Sequence, residues 1–118
     1  IQATLQMAKE LSNDVVLVYQ PHQNVRQHEI IGQYTNDIFR DANEIYWLPT
    51  YLTRENPDLP TLTPQQLAKN IDKEKVRFAE LDDSLWQEIT AARNSGKLVL
   101  CMGAGTIDGW IREQLAKN

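Results

Sequence analysis

The fold of this chain is decided by residues 15–26, which read VVLVYQPHQNVR. The stretch opens on an uninterrupted apolar run, Val15 to Tyr19, which is typical of a strand buried on both faces of a parallel sheet. The polar residues that follow, from Gln20 to Arg26, suit a loop at the end of that strand. Because ligands of open parallel sheets bind outside the carboxyl ends of the strands, this loop is predicted to face a ligand.

Three further runs rich in β-branched and aromatic residues complete the pattern of strands. They span Glu44 to Leu48, Val76 to Ala79 and Leu98 to Cys101, and helical patterns separate them. Strands that alternate with helices, joined by right-handed crossovers, predict a Rossmann-like α/β domain with three α/β/α layers and a mainly parallel sheet. A length of 118 residues suits one such domain, so we predict a single domain over residues 1–118.

Apolar spacing and end signals predict five helices. The first opens at Ile1 with no capping residue before it, which indicates a fragment cut from a longer protein. The second helix is predicted from about Gln27 to Asp41, and the third from a capping box with proline at Thr63-Pro64 to about Ile71. The fourth is predicted from a cap at Asp82 or Asp83 to Gly96. The last is capped by Thr106 and carries the apolar residues Ile107, Trp110, Ile111 and Leu115.

Composition limits the partners of the chain. The formal net charge is -4 and the 12 Lys and Arg residues are scattered, which argues against nucleic acid or an anionic membrane as a partner. Cys101 is the only cysteine, so an internal disulfide is impossible, and no zinc-ligand pattern predicts a metal site. No apolar run approaches the roughly 20 residues of a membrane span and no signal-peptide pattern opens the chain, so we expect a cytoplasmic protein.

Three predicted loops carry candidate substrate-binding residues; we define the first loop as residues 20–26, the second as 49–57 and the third as 103–106. The candidates are His22, Gln23 and Arg26 in the first, Tyr51, Arg54 and Glu55 in the second, and Gly103, Ala104 and Gly105 in the third. Arginine grips carboxylate or phosphate bidentately, the helix start after the first loop offers backbone donors, and glycines let a backbone approach a ligand. Each group taken alone also fits an ordinary surface loop or a local helix cap.

The sequence argues against two kinds of nucleotide site. A dinucleotide fingerprint would need glycine at position 108, where Asp108 stands, and no further strand follows. The chain also has no G-x-x-x-x-G-K-[ST] segment. The main cradle of any nucleotide is therefore expected outside this chain.

Taken together, the three loops resemble the C-terminal domain of the Mur ligases. The residues that carry the resemblance are Gln20-Pro21-His22 followed by Arg26, then Tyr51 with Glu55, then Gly103-Ala104-Gly105. The similarity covers essentially the whole chain and is greatest for the branch that adds L-alanine to UDP-N-acetylmuramate, whose pattern reads F-Q-P-H-R-x-S-R, Y-x-x-x-E and M-G-A-G. Among the departures of this chain from the family, Gln23 replaces the arginine after the histidine and Asn24 replaces the aromatic residue that follows it.

The resemblance implies a three-domain enzyme of peptidoglycan precursor synthesis. In such enzymes the N-terminal domain binds the UDP-sugar, a central domain binds ATP and Mg²⁺, and the C-terminal domain closes over the site and helps bind the amino acid. ATP phosphorylates the substrate carboxylate, and the amino group attacks the acyl phosphate. His22 and Arg26 would lie near the amino acid and the phosphate-bearing centre, and the isolated fragment would hold no catalytic residues and be inactive.

Two alternatives remain open at this point. Within the family, a ligase that recycles murein tripeptide fits the same motifs. From another class, a non-catalytic α/β module that binds small molecules fits the fold. The cation missing at Gln23 leaves the added amino acid open, and Arg54, where some relatives have glycine, is a candidate to replace that cation.

Overall fold

The computed structural model, which describes residues 1–117, contains a four-stranded parallel sheet flanked by helices. In chain order the elements are α1 (Gln2–Leu11), β1 (Val15–Gln20), α2 (Asn24–Ile30), a 3-10 helix (Ile31–Gln33), β2 (Glu44–Trp47), α3 (Pro64–Leu67), β3 (Val76–Phe78), α4 (Asp83–Asn94), β4 (Leu98–Gly103) and α5 (Thr106–Ala116). The predicted Rossmann-like α/β class is confirmed, and all four strands lie within or next to the predicted runs.

Strand β1 lies inside the sheet, whose strand order is β3-β2-β1-β4. Val18 pairs with Tyr46 of β2 on one side and with Cys101 of β4 on the other, and all the pairings are parallel. Every residue of β1 is buried, because strands cover both of its edges and helices cover both faces. The carboxyl ends of β1, β2 and β4 consequently open on one edge of the domain.

The sheet separates two apolar clusters, because successive side chains of a strand point to opposite faces. Val15, Leu17 and Tyr19 belong to the first cluster, and Val16 and Val18 belong to the second. Four aromatic residues dominate the first cluster, with ring centroids 5.1 to 6.2 Å apart: Tyr19, Tyr34, Phe39 and Trp47. In the second cluster Trp86 and Trp110 pack edge to face, so these tryptophans serve packing.

Several helix ends follow their local signals. Thr63 forms the predicted capping box with Gln66, and Asp82 caps α4 by accepting a hydrogen bond from the Leu85 N–H. Gly96 follows α4 with φ 83°, the left-handed conformation that glycine adopts without a steric cost.

The helix predicted from Gln27 to Asp41 is wrong at both ends. Helix α2 begins at Asn24 and ends at Ile30, followed only by one 3-10 turn that contains Gly32. The backbone becomes extended at Tyr34, with φ -80° and ψ 90°, and this turn sends the Tyr34 ring into the core. There its O–H donates to Gln27 Oε1 at 2.6 Å, so a tertiary bond replaces continued helix.

Two smaller predictions about helices are also corrected. Helix α3 ends at Leu67 rather than near Ile71, although Ile71 is buried as its spacing predicted. Thr106 does not cap α5, because its Oγ1 accepts a hydrogen bond from Gln20 Nε2 at 3.0 Å and Gly105 takes the capping position. Among residues 1–117, no helix is long and apolar enough to cross a membrane.

Candidate functional site

The three loops meet at the carboxyl edge of the sheet. His22 forms a parallel β-bridge with Tyr51, and the two rings stack with centroids 5.7 Å apart and planes inclined by 17°. His22 Nδ1 lies 2.9 Å from the carbonyl oxygen of Ala104, which is 82 residues further along the chain. Three motifs that are distant in sequence therefore form one cluster, as the parallel-sheet prediction required.

These contacts decide the tautomer of His22. A carbonyl oxygen only accepts hydrogen bonds, so Nδ1 carries the hydrogen that is donated to Ala104. The other ring nitrogen, Nε2, has no partner among the described residues, and the side chain is exposed. In the neutral ring Nε2 is then a hydrogen-bond acceptor that faces solvent at the loop cluster.

Gly105 is required by the position of Tyr51. Its φ is 148°, and a Cβ built on it would lie 2.5 Å from Tyr51 Cγ. Real Cβ atoms do not approach a ring this closely, so a side chain at position 105 would push the Tyr51 ring away. The glycine in the third loop thus seats the ring on which His22 stacks.

Gly103 has a different reason to be glycine. Its φ is 156°, and a Cβ there would lie 2.9 Å from the backbone oxygen of Gln20. The buried Gln20 side chain ties β1 to the start of α5, because its Oε1 accepts from the Ile107 N–H at 3.2 Å while its Nε2 donates to Thr106. Close packing of β1 on the third loop therefore carries the start of α5 to the site.

Backbone hydrogen bonds join the first loop to the second. The Gln23 N–H donates to the Tyr51 carbonyl at 2.7 Å, and the Tyr51 N–H donates to the Pro21 carbonyl at 2.9 Å. Gln23 and Arg54 both have positive φ, 62° and 51°, which is uncommon outside glycine. The side-chain Nε2 of Gln23 donates to the Arg54 carbonyl at 3.3 Å, so the two residues in this unusual conformation are in direct contact. Positive φ at non-glycine residues is enriched at ligand sites.

Glu55 is held by three backbone N–H groups. Its Oε2 accepts from Thr53 at 2.8 Å and from Asn24 at 3.0 Å, and its Oε1 accepts from Val25 at 3.2 Å. Burial acts to raise the pKa of the Glu55 carboxyl, but these donors and the nearby His22 outweigh it and hold the pKa below its usual value. The backbone donors at the start of α2, which we predicted for a ligand, are therefore used by Glu55 instead.

The two arginines of the site are both exposed. Arg26 lies in the first turns of α2, where its Nη1 is 3.4 Å from Glu29 Oε2, and their side chains are 61% and 59% exposed. An ion pair this exposed contributes little to folding, so the Arg26 guanidinium is available to an anion. Arg54 lies at the top of the second loop, next to Gln23. The structure thus places one cation beside each of the first two loops.

Sequence reasoning missed two buried polar residues that organise the site. Asn24 ties the segment 60–62, which follows the second loop, to α2, since its Nδ2 donates to the Pro60 carbonyl at 3.1 Å and its Oδ1 accepts from the Leu62 N–H at 2.9 Å. Gln27 donates to the His22 carbonyl at 2.9 Å and thereby holds the first loop from below. Asn24, Gln27, Ile31 and Tyr34 follow one another at intervals of three and four residues, and this spacing was the available signal in the sequence.

A cavity of about 390 Å³ opens beside Tyr51 at this edge. Residues of β1, of the second loop and of α5 line it, among them Gln20, Thr50 and Thr106. A larger cavity of about 530 Å³ lies along α3 and β3 and contains none of the loop candidates. Of the residues that line the smaller cavity, Tyr51 is the one loop candidate, and His22, Arg26 and Arg54 lie outside that lining.

Comparison with known proteins places this arrangement in a class. No protein-family model matches the chain. Three curated relatives, from Rickettsia massiliae strain Mtu5, Rickettsia felis and Rickettsia canadensis, are 34%, 32% and 33% identical to it over 96% of its length. These relatives confirm the resemblance of the chain to one domain of the Mur ligases, with which its α/β fold and its loop motifs are consistent.

The particular relatives are all named UDP-N-acetylmuramate–L-alanine ligase. The chain spans about a quarter of their length, 24% of the protein from Rickettsia massiliae and 25% of that from Rickettsia felis. It is therefore homologous to one segment of these ligases, a share consistent with a single domain of a larger enzyme.

Proposed function

We propose that this chain is the C-terminal, amino-acid-binding domain of a three-domain ligase that joins L-alanine to UDP-N-acetylmuramate through an acyl phosphate. The observation that carries the proposal is the meeting of the three family motifs, in which His22 stacks on Tyr51 and bonds to Ala104. Relatives of that name align with 96% of the chain, which supports the same assignment. The UDP-sugar then belongs to the N-terminal domain of the same protein.

The residues of this chain do not fit the main binding site of ATP and Mg²⁺. The sequence has no P-loop, and residues 1–117 bring together no group of three or more His, Cys, Asp or Glu side chains that could hold a metal ion. We therefore assign ATP and Mg²⁺ to the central domain. A reaction that consumes ATP and a UDP-sugar is assigned to the cytoplasm.

Within this domain the proposed contribution is positioning of the amino acid. The Arg26 guanidinium binds the carboxylate of the amino acid or the negative charge that develops at the acyl phosphate. His22 Nε2 accepts a hydrogen bond from the attacking amino group, because its Nδ1 is already committed to Ala104. Tyr51 keeps the imidazole in this orientation by stacking against its face.

A substrate panel on the full-length protein that contains these residues tests the function. We expect release of inorganic phosphate from ATP only when UDP-N-acetylmuramate and L-alanine are both present. Turnover of murein tripeptide in place of L-alanine would support the recycling ligase, and turnover of neither would support the non-catalytic binding module. The isolated chain of 118 residues is expected to hydrolyse no ATP.

A further inference from the structure

We propose that Glu55 is a positioning residue, which holds the first loop in its ligand-facing conformation and does not itself contact the amino acid. This proposal rests on the proposed function, because the ligand-facing residues are those assigned to the amino acid above. It gives a different role to a side chain that the motif alone would place against the substrate.

The Glu55 carboxylate is already bound by backbone N–H groups of the protein. Both oxygens accept backbone hydrogen bonds, two from the first turn of α2 at Asn24 and Val25 and one from Thr53 of its own loop. A carboxylate that is bound in this way points back into the protein. Its three donors are held by helix and loop backbone, so a ligand would have to compete with charge-assisted bonds that are already formed.

Within residues 1–117, helix α2 has no side-chain cap at its own N-cap residue. The N-cap residue, Gln23, makes no side-chain capping bond, and no acidic residue lies in the first turn of the helix. Helix starts leave N–H groups without intrahelical partners, and a buried orphan donor is costly. Glu55 therefore supplies from the second loop the cap that the first loop lacks.

The Glu55 cap is next to the residues assigned to the amino acid. Glu55 bonds to Asn24 and Val25, which lie between His22 and Arg26, the two residues assigned to the amino acid. The bond to Thr53 closes the second loop on itself around Arg54, whose φ of 51° is unfavourable without such a constraint. One carboxylate thus sets the backbone of both loops that carry the cations.

The test compares three variants of the full-length ligase: Glu55→Ala, Glu55→Gln and the control Asp58→Ala. Asp58 is an exposed acidic residue directly after the second loop, so its removal changes the charge equally. We expect Glu55→Ala to raise the KM for L-alanine about tenfold or more, with the KM for ATP and for UDP-N-acetylmuramate unchanged. Glu55→Gln keeps one side-chain oxygen and is expected to restore part of the loss.

Hydrogen exchange distinguishes positioning from direct contact. Without any substrate, the amides of Asn24 and Val25 are expected to exchange faster in Glu55→Ala than in the wild type or in Asp58→Ala. A raised KM with unchanged exchange at these amides would mean that Glu55 touches the amino acid, and an unchanged KM would remove any role in positioning. If the wild type ligates no amino acid, the proposed function fails, and the exchange measurement still decides whether Glu55 holds the first loop.

Discussion

Substitution of Gly105 by alanine tests whether the loop cluster is built as described. The new Cβ would lie 2.5 Å from Cγ, 2.8 Å from Cδ2 and 2.9 Å from Cδ1 of the Tyr51 ring. Because three ring atoms are approached at once, a small rotation of the ring cannot relieve the contact. The ring must leave its seat, and its stacking on His22 is lost with it.

The magnitude follows from two contributions. A backbone with φ 148° and ψ -131° is strained for any residue with a Cβ, at a cost of about 1–3 kcal/mol. Loss of an aromatic pair costs about 0.5–1.5 kcal/mol more. We therefore expect Gly105→Ala to lower the free energy of unfolding of the 118-residue chain by about 2–4 kcal/mol, measured by urea denaturation.

A matched control is available in helix α5, which begins directly after Gly105. Gly109 is helical and a Cβ added to it would meet no atom within 4 Å, so Gly109→Ala is expected to raise the unfolding free energy by about 0.5–1 kcal/mol. In a double-mutant cycle, Tyr51→Ala should absorb part of the Gly105→Ala loss, because the ring that clashes is gone. Additive effects of the two substitutions, or a Gly105→Ala variant as stable as the wild type, would refute the proposed packing.

Three further predictions concern the charged residues of the site. Arg26→Ala in the full-length protein is expected to lower kcat/KM for the amino acid about 10- to 150-fold with little change in melting temperature. The control is Arg112→Ala, which removes an exposed helix arginine paired with Asp108 and should change neither quantity. A lowered melting temperature with unchanged kcat/KM would mean that the role of Arg26 is structural. Arg54→Gly is expected to impair catalysis without loss of stability, since glycine adopts the φ of 51° without strain. Adding Gln23→Arg to this variant should restore activity. Independent effects of the two substitutions would mean that Arg54 does not replace the cation absent at position 23. The folded-state pKa of Glu55 is below its usual value of 4.5, so its contribution to stability is present above pH 4.5 and is lost as the pH falls through the folded-state pKa. The difference in unfolding free energy between the wild type and Glu55→Gln should therefore shrink in acid. A difference that stays constant with pH would contradict this prediction.

The candidate site was predictable only in part. The motif residues were identifiable one by one, and the parallel sheet predicted that their loops share an edge, which the His22, Tyr51 and Ala104 contacts confirm. What each residue does in that cluster was not predictable. Glu55 was expected to face a ligand, yet its oxygens are occupied by backbone donors from a loop about thirty residues earlier.

Features that depend on near neighbours along the chain could be predicted without the structure. The apolar run from Val15 to Tyr19 forms a buried strand, Thr63 and Asp82 cap their helices, and Gly96 terminates one, because burial preference, capping bonds and left-handed φ act within a few residues. Such local signals are legible without knowledge of the fold.

The bounds of α2 and the contacts between the loops could be seen only in the folded domain. At the start of α2 the Asn24 N–H donates to the carboxylate of Glu55, and beyond its end Tyr34 turns into the core and bonds with Gln27. The Tyr51 ring occupies space that Gly105 leaves open from the far end of the chain. The contacts of Glu55 and Gly105 join segments far apart in the sequence, and Tyr34 is fixed in the core by its hydrogen bond to Tyr19, 15 residues earlier, as well as by the one to Gln27. Tertiary contacts of this kind outweigh the weak helical preference of a sequence.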